Sequence, residues 1–534
     1  MNAAGPAKLS SLVPANWISL HGRYSPDEPC LVMGDGTTYT FGQINSRVNR
    51  LARALQGQGI TRHDRIGILA TDSIDYMVLL MASMKVGSTY VPFNYRLTAP
   101  EIVTIAKAAK LDGFVTMARY DEVTAAVRAA CPHLKFQAGF DDLDGLPTIA
   151  GLIEEQQDDS DIEVETEWED IISIMFTSGT TGRPKGVMQS MRMVGVSTNV
   201  SLLDFGFKRG ELRYTASPMF HAAGMGSIYY GIARGFASLI LDQFDPAELL
   251  KWMKSGKLTG GLLMPTMLKA LLNEPGVRDQ SYPNLRSMVY GGSPIGIDLL
   301  RDALATFDCD FFNSFGAGTE GAGQTMFYPE DHLRALAGEE HLLGSIGRPM
   351  YGVDLRLCDD ALRDVPRGQV GEICTRSETV MSGYLDDPER TAQAVVDGWF
   401  RAGDLAWMDD DGYLFLAGRK TDMIIRGGEN VYPIEIETVL LEHPAVGSVA
   451  VVGQPDEYWG EVVIAAIELA PGQELDEQDL TRHCRDRLAS YKVPIRFFAM
   501  NDLPRNVNGK LQKFAVVELV ADMYQSGVTG DGAR

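Results

Sequence analysis

The sequence predicts an α/β protein in two parts: a large multi-layer N-terminal domain followed by a small α+β C-terminal one. Three observations carry this. The chain has 534 residues, more than one hydrophobic core serves, since cores stop growing at about 250–300 residues. Strand-length and helix-length apolar patterns alternate through most of the chain, which implies α/β layers. Beyond Gly418 the pattern becomes strands with one clear helix, over about a hundred residues, a usual domain size. The expected division is 1–417, a short hinge at 418–422, and 423–534.

Taken in order, Arg65 to Ala70 reads as a strand and Ser73 to Val86 as an apolar helix. Between Glu154 and Asp170 lie ten acidic residues and no basic one, a pattern expected of a solvated loop without chemistry. The run Ile171 to Phe176 reads as a buried strand. Residues 214–233 carry no formal charge, yet Pro218, His221, Gly224, Gly226 and Gly231 make the stretch too polar and broken for a membrane span. A buried pocket wall is the expected use. Ser287 to Tyr290 is another strand, and Gly291-Gly292-Ser293-Pro294 leads into a helix expected from Ile295 to Phe307, with Pro294 in its first turn. In the second unit, Val449–Val452, Glu461–Leu469 and Arg496–Met500 read as strands and Glu477 to Leu488 as a helix.

Apolar content of 45% with 22% charged residues is that of an ordinary soluble domain. The first thirty residues lack an apolar core of signal-peptide type, so a cytoplasmic protein is expected. Six cysteines without paired or regular spacing read as reduced thiols, not a disulfide frame or zinc site. A net charge of −23 argues against nucleic acid and anionic membranes as main partners. Residues 482–513 run the other way, with eight basic residues against Asp486 and Asp502. Arg482, Arg485 and Arg487 suit a solvated helix. Lys492, Arg496, Arg505, Lys510 and Lys513 lie among Pro494, Pro504 and Gly509 and suit a polyanionic ligand better.

The most informative run is Thr177-Ser178-Gly179-Thr180-Thr181-Gly182-Arg183-Pro184-Lys185-Gly186-Val187. Glycines let a backbone approach its ligand closely, and successive N–H groups of such a turn form an anion-binding concavity. The spacing Gly179-x-x-Gly182-x-x-Lys185 is not that of a Walker A loop. A flexible Gly/Ser/Thr linker would not need Pro184 or two cations at its end.

This run resembles the phosphate-binding signature of the adenylate-forming superfamily, which includes acyl-CoA synthetases, adenylation domains and firefly-type luciferases. The resemblance extends from about residue 20 to about residue 515. It implies the superfamily's plan of a large N-terminal domain and a mobile C-terminal lid. It also implies ATP-binding roles for Thr177, Ser178, Gly179, Thr180, Thr181, Gly182 and Lys185, with Gly291, Gly292 and Ser293 completing the nucleotide site.

Further motifs match the same family. Phe220-His221-Ala222-Ala223-Gly224 falls where the family lines its acyl pocket, so His221 and Met225 are expected acyl contacts; a lone His in an apolar run is otherwise a core residue. The acid that pairs an amino group in amino-acid-activating relatives is absent before Asp242, which disfavours an amino-acid substrate. Ser314-Phe315-Gly316-Ala317-Gly318-Thr319-Glu320 resembles the Y-G-x-T-E stretch with one residue more. The resemblance implies that Thr319 touches the α-phosphate and that Glu320 holds Mg2+, a hard cation suited to carboxylates. The extra residue leaves Gly316 and Gly318 without an assigned role. Gly316, Gly318 and Gly321 also have dinucleotide-binding spacing, but no strand-borne acid follows at the right distance, and the spacing is read as accidental.

Trp399-Phe400-Arg401-Ala402-Gly403-Asp404 implies ribose binding at Asp404, whose paired carboxylate oxygens suit two hydroxyls. Gly418-Arg419-Lys420-Thr421-Asp422 through Glu437 resembles the family hinge. It implies a nucleotide contact at Arg419, a pivot at Thr421 where the family has Asp or Lys, and CoA contacts at Gly427, Gly428 and Glu429, with Arg496 nearby. Pro504-Arg505-Asn506-Val507-Asn508-Gly509-Lys510 implies a catalytic lysine, Lys510, bridging the carboxylate and the α-phosphate.

The sequence therefore points to an ATP-dependent, AMP-forming ligase. It would activate an apolar carboxylic acid, fatty or aryl, and pass it to CoA. A stand-alone domain loading an acyl or peptidyl carrier is the rival, although only about twenty residues follow Lys513. A luciferase-like oxygenase has no feature in its favour, and a nicotinamide enzyme rests only on the Gly316 spacing. The acid itself stays open, and a homo-oligomer is compatible with the sequence.

Overall fold

The computed structural model describes residues 12–143, 145–162, 166–177, 184–215, 218–293, 295–505 and 511–525. Among these residues the strands form four sheets. The first has seven strands in the order Gly383–Tyr384, Lys185–Ser190, Ile171–Thr177, Thr89–Pro92, Arg65–Leu69, Gly113–Thr116 and Phe136–Gly139. Its central strands run parallel, while Ile171–Thr177 and Lys185–Ser190 form an antiparallel pair. The helix Ile74–Val86 packs on this sheet's core. It starts because the Ser73 hydroxyl accepts the Tyr76 N–H at 3.1 Å and stops at Gly87, whose φ of 80° is the left-handed cap glycine adopts. Every residue from Tyr76 to Val86 is buried, which explains the all-round apolar pattern.

The second sheet has nine strands, and Gly260–Leu263, Ser287–Gly291 and Asp310–Gly318 are parallel neighbours within it. Asp310–Gly318 then turns back into the antiparallel strand Ala322–Phe327. Gly316, Gly318 and Gly321 thus belong to a hairpin and not to a strand–helix phosphate loop. The helix expected over 295–307 runs Ile297–Thr306 with Gly296 at its cap, and Pro294 lies outside the described residues. A third, antiparallel sheet joins Asp354–Cys358, Gly371–Arg376, Trp399–Met408, Val395–Val396 and Leu414–Arg419.

The fourth sheet draws its strands from residues 424–500: Glu429–Val431, Ile424–Arg426, Gly460–Leu469 and Val446–Asp456, with Arg496–Met500 parallel to Gly460–Leu469. Strand Gly460–Leu469 is buried on both faces. Val463, Ala465 and Ile467 join a core with Ile436, Leu440 and Leu480 from the helices Pro433–Leu441 and Glu477–Arg485. Ile464 and Ala466 pack against Val516 and Val520 of the helix Lys513–Gln525. Alternation of side chains across a strand makes such a run apolar throughout. The large N-terminal and small C-terminal parts of the predicted class are both present.

One sequence reading is corrected. The acidic segment is not merely solvated: Asp158 pairs with Arg53 at 3.0 Å, Asp159 with Arg50 at 3.6 Å and Asp170 with Arg62 at 2.7 Å. Asp161 faces the Lys85 ammonium at 3.6 Å, and that side chain has no solvent exposure. Lys85 also donates to Ser19 Oγ at 2.6 Å and to Asn49 Oδ1, and burial lowers its pKa to about 8 despite Asp161. The segment straps the helix Phe41–Gly57, whose Asn45 and Asn49 amides donate to Asp161 at 3.1 Å. These partners lie far upstream, beyond the reach of a local charge pattern.

The six cysteines are free thiols, five of them buried, as their spacing predicted. No helix among the described residues is long and apolar enough to cross a membrane.

Candidate active site

Three of the predicted motifs meet where the first and second sheets approach each other. Thr177 and Lys185 are opposite one another in the antiparallel pair. Residues 178–183, which hold the expected phosphate contacts Ser178, Gly179, Thr180, Thr181 and Gly182, lie outside the described residues. The chain therefore leaves and re-enters this loop at adjacent backbone positions. The Lys185 ammonium forms an ion pair with Glu320 at 3.1 Å and is 3.3 Å from the Tyr384 hydroxyl. It also lies 4.9 Å from the centre of the Tyr384 ring. Burial opposes the charge on Lys185, but Glu320 and Tyr384 outweigh it and raise the lysine's pKa.

Tyr384 reaches the lysine because Gly383–Tyr384 pairs with Val187 and Met188 of the neighbouring strand. Its hydroxyl is 3.5 Å from Glu320 Oε1, and burial followed by the Glu320 charge raises its pKa. Tyr384 is not among the site residues that the sequence predicts.

Thr319 and Glu320 form the tip of the hairpin between Asp310–Gly318 and Ala322–Phe327. The tip is fastened from both sides. Gln189 donates through Nε2 to the Thr319 carbonyl at 2.9 Å, while its own Oε1 accepts from Ser173 Oγ at 2.6 Å. The Met381 N–H donates to the Glu320 carbonyl at 2.8 Å. The extra residue in this motif is absorbed by register shifts at Phe315/Gly316 and Gly316/Gly318, the signature of β-bulges. Gly316 lies too close to the Ala322 carbonyl for any side chain, and Gly318 has a φ of 55°. Both glycines serve the hairpin's shape.

Gly291 closes its strand opposite Ser314, where an added Cβ would sit 2.5 Å from the Ser314 carbonyl. Gly292 follows with φ of 80°. Gly291, Gly292 and Ser293 thus lie at the carboxyl end of parallel strands, where α/β sheets bind ligands. Asp404 sits on Trp399–Met408 in register with Arg419, whose Nε donates to Asp404 Oδ1 at 3.1 Å. Asp404 is 8% exposed.

His221 caps the helix Ala222–Arg234, its Nδ1 accepting the Ala223 N–H at 3.3 Å. This hydrogen bond assigns the neutral ring's proton to Nε2. Met219 and Met225 lie in the large N-terminal core. The preceding turn is held by Asp72, whose Oδ1 accepts the Met219 N–H at 2.8 Å, and Tyr95 packs edge-on to Phe220 at 5.2 Å. Sequence reading missed Asp72. An acid between a strand and a helix-capping serine was the available signal.

In the smaller part, Gly427 and Gly428 have φ of 60° and 86°. They form a two-residue turn between Ile424–Arg426 and Glu429–Val431, the geometry that favours glycine at both positions. The Gly427 N–H donates to the Trp459 carbonyl at 2.7 Å. Glu429 and Arg496 are exposed, with Arg496 opening the strand Arg496–Met500. Lys510 lies outside the described residues. The backbone flanking its loop is joined by a bridge between Arg505 and Leu511 and by the Gln512 N–H donating to the Pro504 carbonyl at 2.8 Å. Thr421 follows Lys420 in a short 3-10 turn and donates to Asp422 Oδ1 at 3.0 Å.

The residues present fit a nucleotide phosphate and its cation. Thr177 Oγ1, at the loop's entrance, is buried with no hydrogen-bond partner among the described residues. Roughly nine in ten buried polar groups are paired, so this hydroxyl suits a ligand oxygen. Among the described residues no group of three or more metal-binding side chains occurs. Glu320 supplies one carboxylate, which suits Mg2+, an ion usually held by one or two carboxylates together with substrate phosphates.

Comparison with known proteins agrees with this geometry. Residues 20–385 match the AMP-binding enzyme family, and residues 435–510 match the AMP-binding enzyme C-terminal domain. The fatty acid–acyl-carrier-protein ligase ScoC of Streptomyces coeruleorubidus is 33% identical over 510 residues, covering 94% of this chain and 95% of that protein. A feruloyl-CoA synthase of Amycolatopsis is 33% identical, covering 93% and 97%. Among solved structures, ATP-bound MatB of Rhodopseudomonas palustris superposes with a TM-score of 0.87 at 26% identity, covering 96% of this chain and 99% of that one. Apo MatB covers the same shares at 26% identity with a TM-score of 0.76.

Proposed function

Because the chain belongs to the AMP-binding enzyme family, we propose that it activates an apolar carboxylic acid, fatty or aryl, with ATP and transfers the acyl group to CoA. The coarser statement stands by membership: the protein is an AMP-forming acid–thiol ligase that activates carboxylates. The observation that carries the reading is the meeting of Lys185, Glu320 and Tyr384 beside the Thr177 hydroxyl, which has no hydrogen-bond partner among the described residues.

In the first half-reaction the carboxylate attacks the α-phosphorus of ATP, forming acyl-AMP and releasing pyrophosphate. Thr177, Lys185 and the 178–182 loop hold the phosphates, Gly291–Ser293 complete the nucleotide site, and Asp404 accepts the ribose hydroxyls. Thr319 and Lys510 bind the α-phosphate as charge develops there, a task of positioning and neutralisation that needs no side-chain nucleophile. Bound Mg2+ supplies neutralisation of phosphate charge, and Glu320 would hold it. The Lys185–Glu320 pair keeps that carboxylate aimed before nucleotide binds.

The lid, residues 423–534, then turns about 418–422, and the CoA thiolate displaces AMP with Gly427, Gly428, Glu429 and Arg496 bordering its approach. The higher score against ATP-bound than apo MatB supports assigning the present lid orientation to adenylation. His221, Phe220, Tyr95 and the uncharged run around them support an apolar acyl group. Similarity to ScoC favours a second acceptor, a carrier protein. Incubation with ATP, Mg2+, CoA and acids of graded size, following AMP and thioester, tests the reading. CoA-dependent thioester with an apolar acid supports it. AMP release that requires an added carrier replaces CoA with that acceptor, and no AMP with any acid overturns the reading.

A further inference from the structure

The hinge is anchored before it bends. Arg419 pairs with Asp404. The next residue, Lys420, reaches across the third sheet to two carboxylates, Glu372 Oε2 at 3.3 Å and Asp360 Oδ1. Glu372 lies on Gly371–Arg376 and its side chain is 6% exposed, whereas that of Asp360 is 88% exposed. An exposed pair contributes little against solvent, so Glu372 is the effective partner. It does not depend on Lys420 for its burial. Arg401 donates to the same carboxylate from the adjacent strand, with Nε at 3.1 Å.

On the other side of the hinge, Ile424 is 1% exposed within the core of the smaller part. Only Thr421, Asp422 and Met423 separate the last anchored residue from the first core residue, and Thr421 is exposed. A hinge works by confining backbone change to a few positions between rigid bodies. A lysine held on a carboxylate that already has its own arginine adds little to the fold, but it sets where the rigid body ends.

We infer that Lys420 is a positioning residue of the two-step reaction: by pairing with Glu372 it fixes the N-terminal abutment of the hinge and confines lid rotation to residues 421–423. This rests on the AMP-forming reading above. Its loss lengthens the flexible link by one residue and broadens the orientations the lid samples. The step that needs the present orientation, with Lys510 delivered to the α-phosphate, suffers more than the other. The effect passes through Lys510 and not through substrate contact.

The test uses the full-length enzyme and measures the half-reactions separately, as acid-dependent pyrophosphate exchange into ATP and as thioester formation from supplied acyl-AMP and CoA. Lys420→Met is expected to lower exchange relative to thioester formation by at least about fivefold, the lower end of usual coupling between sites. Its kcat should fall while the KM for ATP stays near normal. Lys420→Arg, which keeps the charge, should restore the ratio. In a Glu372→Gln background, Lys420→Met should change the ratio by less than about twofold, because the partner is already neutral. Equal loss of both half-reactions, or a ratio unchanged by Lys420→Met, overturns the inference. Should Lys420→Met fold poorly, Glu372→Gln, whose Arg401 neighbour remains, must show the same shift in ratio or the inference falls. Wild-type enzyme that forms no acyl-AMP with any acid overturns the functional reading instead.

Discussion

Lys185 and Glu320, separated by 135 residues of sequence, form an ion pair at 3.1 Å across the junction of the first two sheets. The pair joins the strand that closes the phosphate loop to the hairpin tip that carries Thr319. Its side chains are 26% and 14% exposed, so it is partly shielded and stronger than a surface pair. In the proposed reaction two charged ligands converge on this pair, phosphate at Lys185 and a divalent cation at Glu320, and the pair holds both side chains in place until they arrive.

Glu320→Gln removes the cation's carboxylate but keeps the side chain's shape. Adenylation should fall about a hundredfold, the scale of one lost electrostatic contribution to a transition state, and should respond to raised Mg2+ concentration. Thioester formation from supplied acyl-AMP should fall much less. Titration of pyrophosphate exchange against Mg2+ checks this. A Mg2+ dependence identical to wild type removes Glu320 from the cation's site.

His221→Ala tests the acyl side. The histidine caps the helix Ala222–Arg234, so its loss should cost about 1 kcal/mol of stability. If it borders the acyl group, the order of preferred acids should also change while the KM for ATP stays near normal. An unchanged order with lower stability leaves His221 as a cap alone.

The sequence made legible what depends on local pattern. The strand Arg496–Met500 falls on its predicted limits, and the helix Ile74–Val86 starts one residue inside them, because a capping serine and a following glycine mark its ends. Gly427 and Gly428 were singled out in the sequence for a CoA contact and not for the two-residue turn they form. What stayed hidden was long-range. Asp72 gives no sign in sequence that it will hold Met219, 147 residues away. The acidic run 154–170 read as solvent-facing because its cationic partners, Arg50, Arg53, Arg62 and Lys85, lie far upstream. Lys420 likewise carried no role in the sequence, and its partner Glu372 lies on a strand of the third sheet.

Asp72 predicts a pH effect. Burial raises its pKa to about 6, against the lowering influence of the Met219 N–H and Arg96. A carboxyl whose folded pKa lies above its unfolded value binds an extra proton in the native state. Its contribution therefore improves as pH falls through about 6 and is complete below the unfolded value of about 4. At neutral pH its charge costs stability. Asp72→Asn keeps an oxygen for the Met219 N–H and removes the charge, and Asp72 retains some solvent contact. A gain of about 1 kcal/mol near pH 7.5, vanishing near pH 4, is expected. Asp72→Ala also removes the charge but loses the acceptor, so it should be less stable than Asp72→Asn by about 1–2 kcal/mol at both pH values. Urea unfolding at the two pH values distinguishes them, and equal destabilisation by Asn and Ala defeats the argument.

Lys510→Ala should separate the half-reactions in one direction. The loop that holds Lys510 is closed at its base by Arg505 and Leu511, so removing one ammonium should leave the lid folded. Adenylation is expected to fall about a hundredfold or more, while thioester formation from supplied acyl-AMP survives. Equal loss in both steps rejects Lys510 as the α-phosphate ligand.

Thr421→Pro should separate them in the other direction. In the proposed reaction Lys510 and the Gly427–Gly428 turn serve successive steps from the same lid, which then adopts two orientations. Proline fixes φ at its own position near the value a 3-10 turn uses. Lys420 lies in the short turn Lys420–Asp422, held upstream by Glu372, so the restriction falls on the three residues left to rotate. The superposition on ATP-bound MatB favours the orientation for acyl-AMP formation. Thr421→Pro should therefore keep pyrophosphate exchange within about threefold of wild type and lower thioester formation at least tenfold, the reverse of Lys510→Ala. If the proline variant makes thioester at the normal rate, rotation occurs at Asp422 or Met423, beyond the reach of a constraint at 421, and proline at Asp422 should then produce the loss.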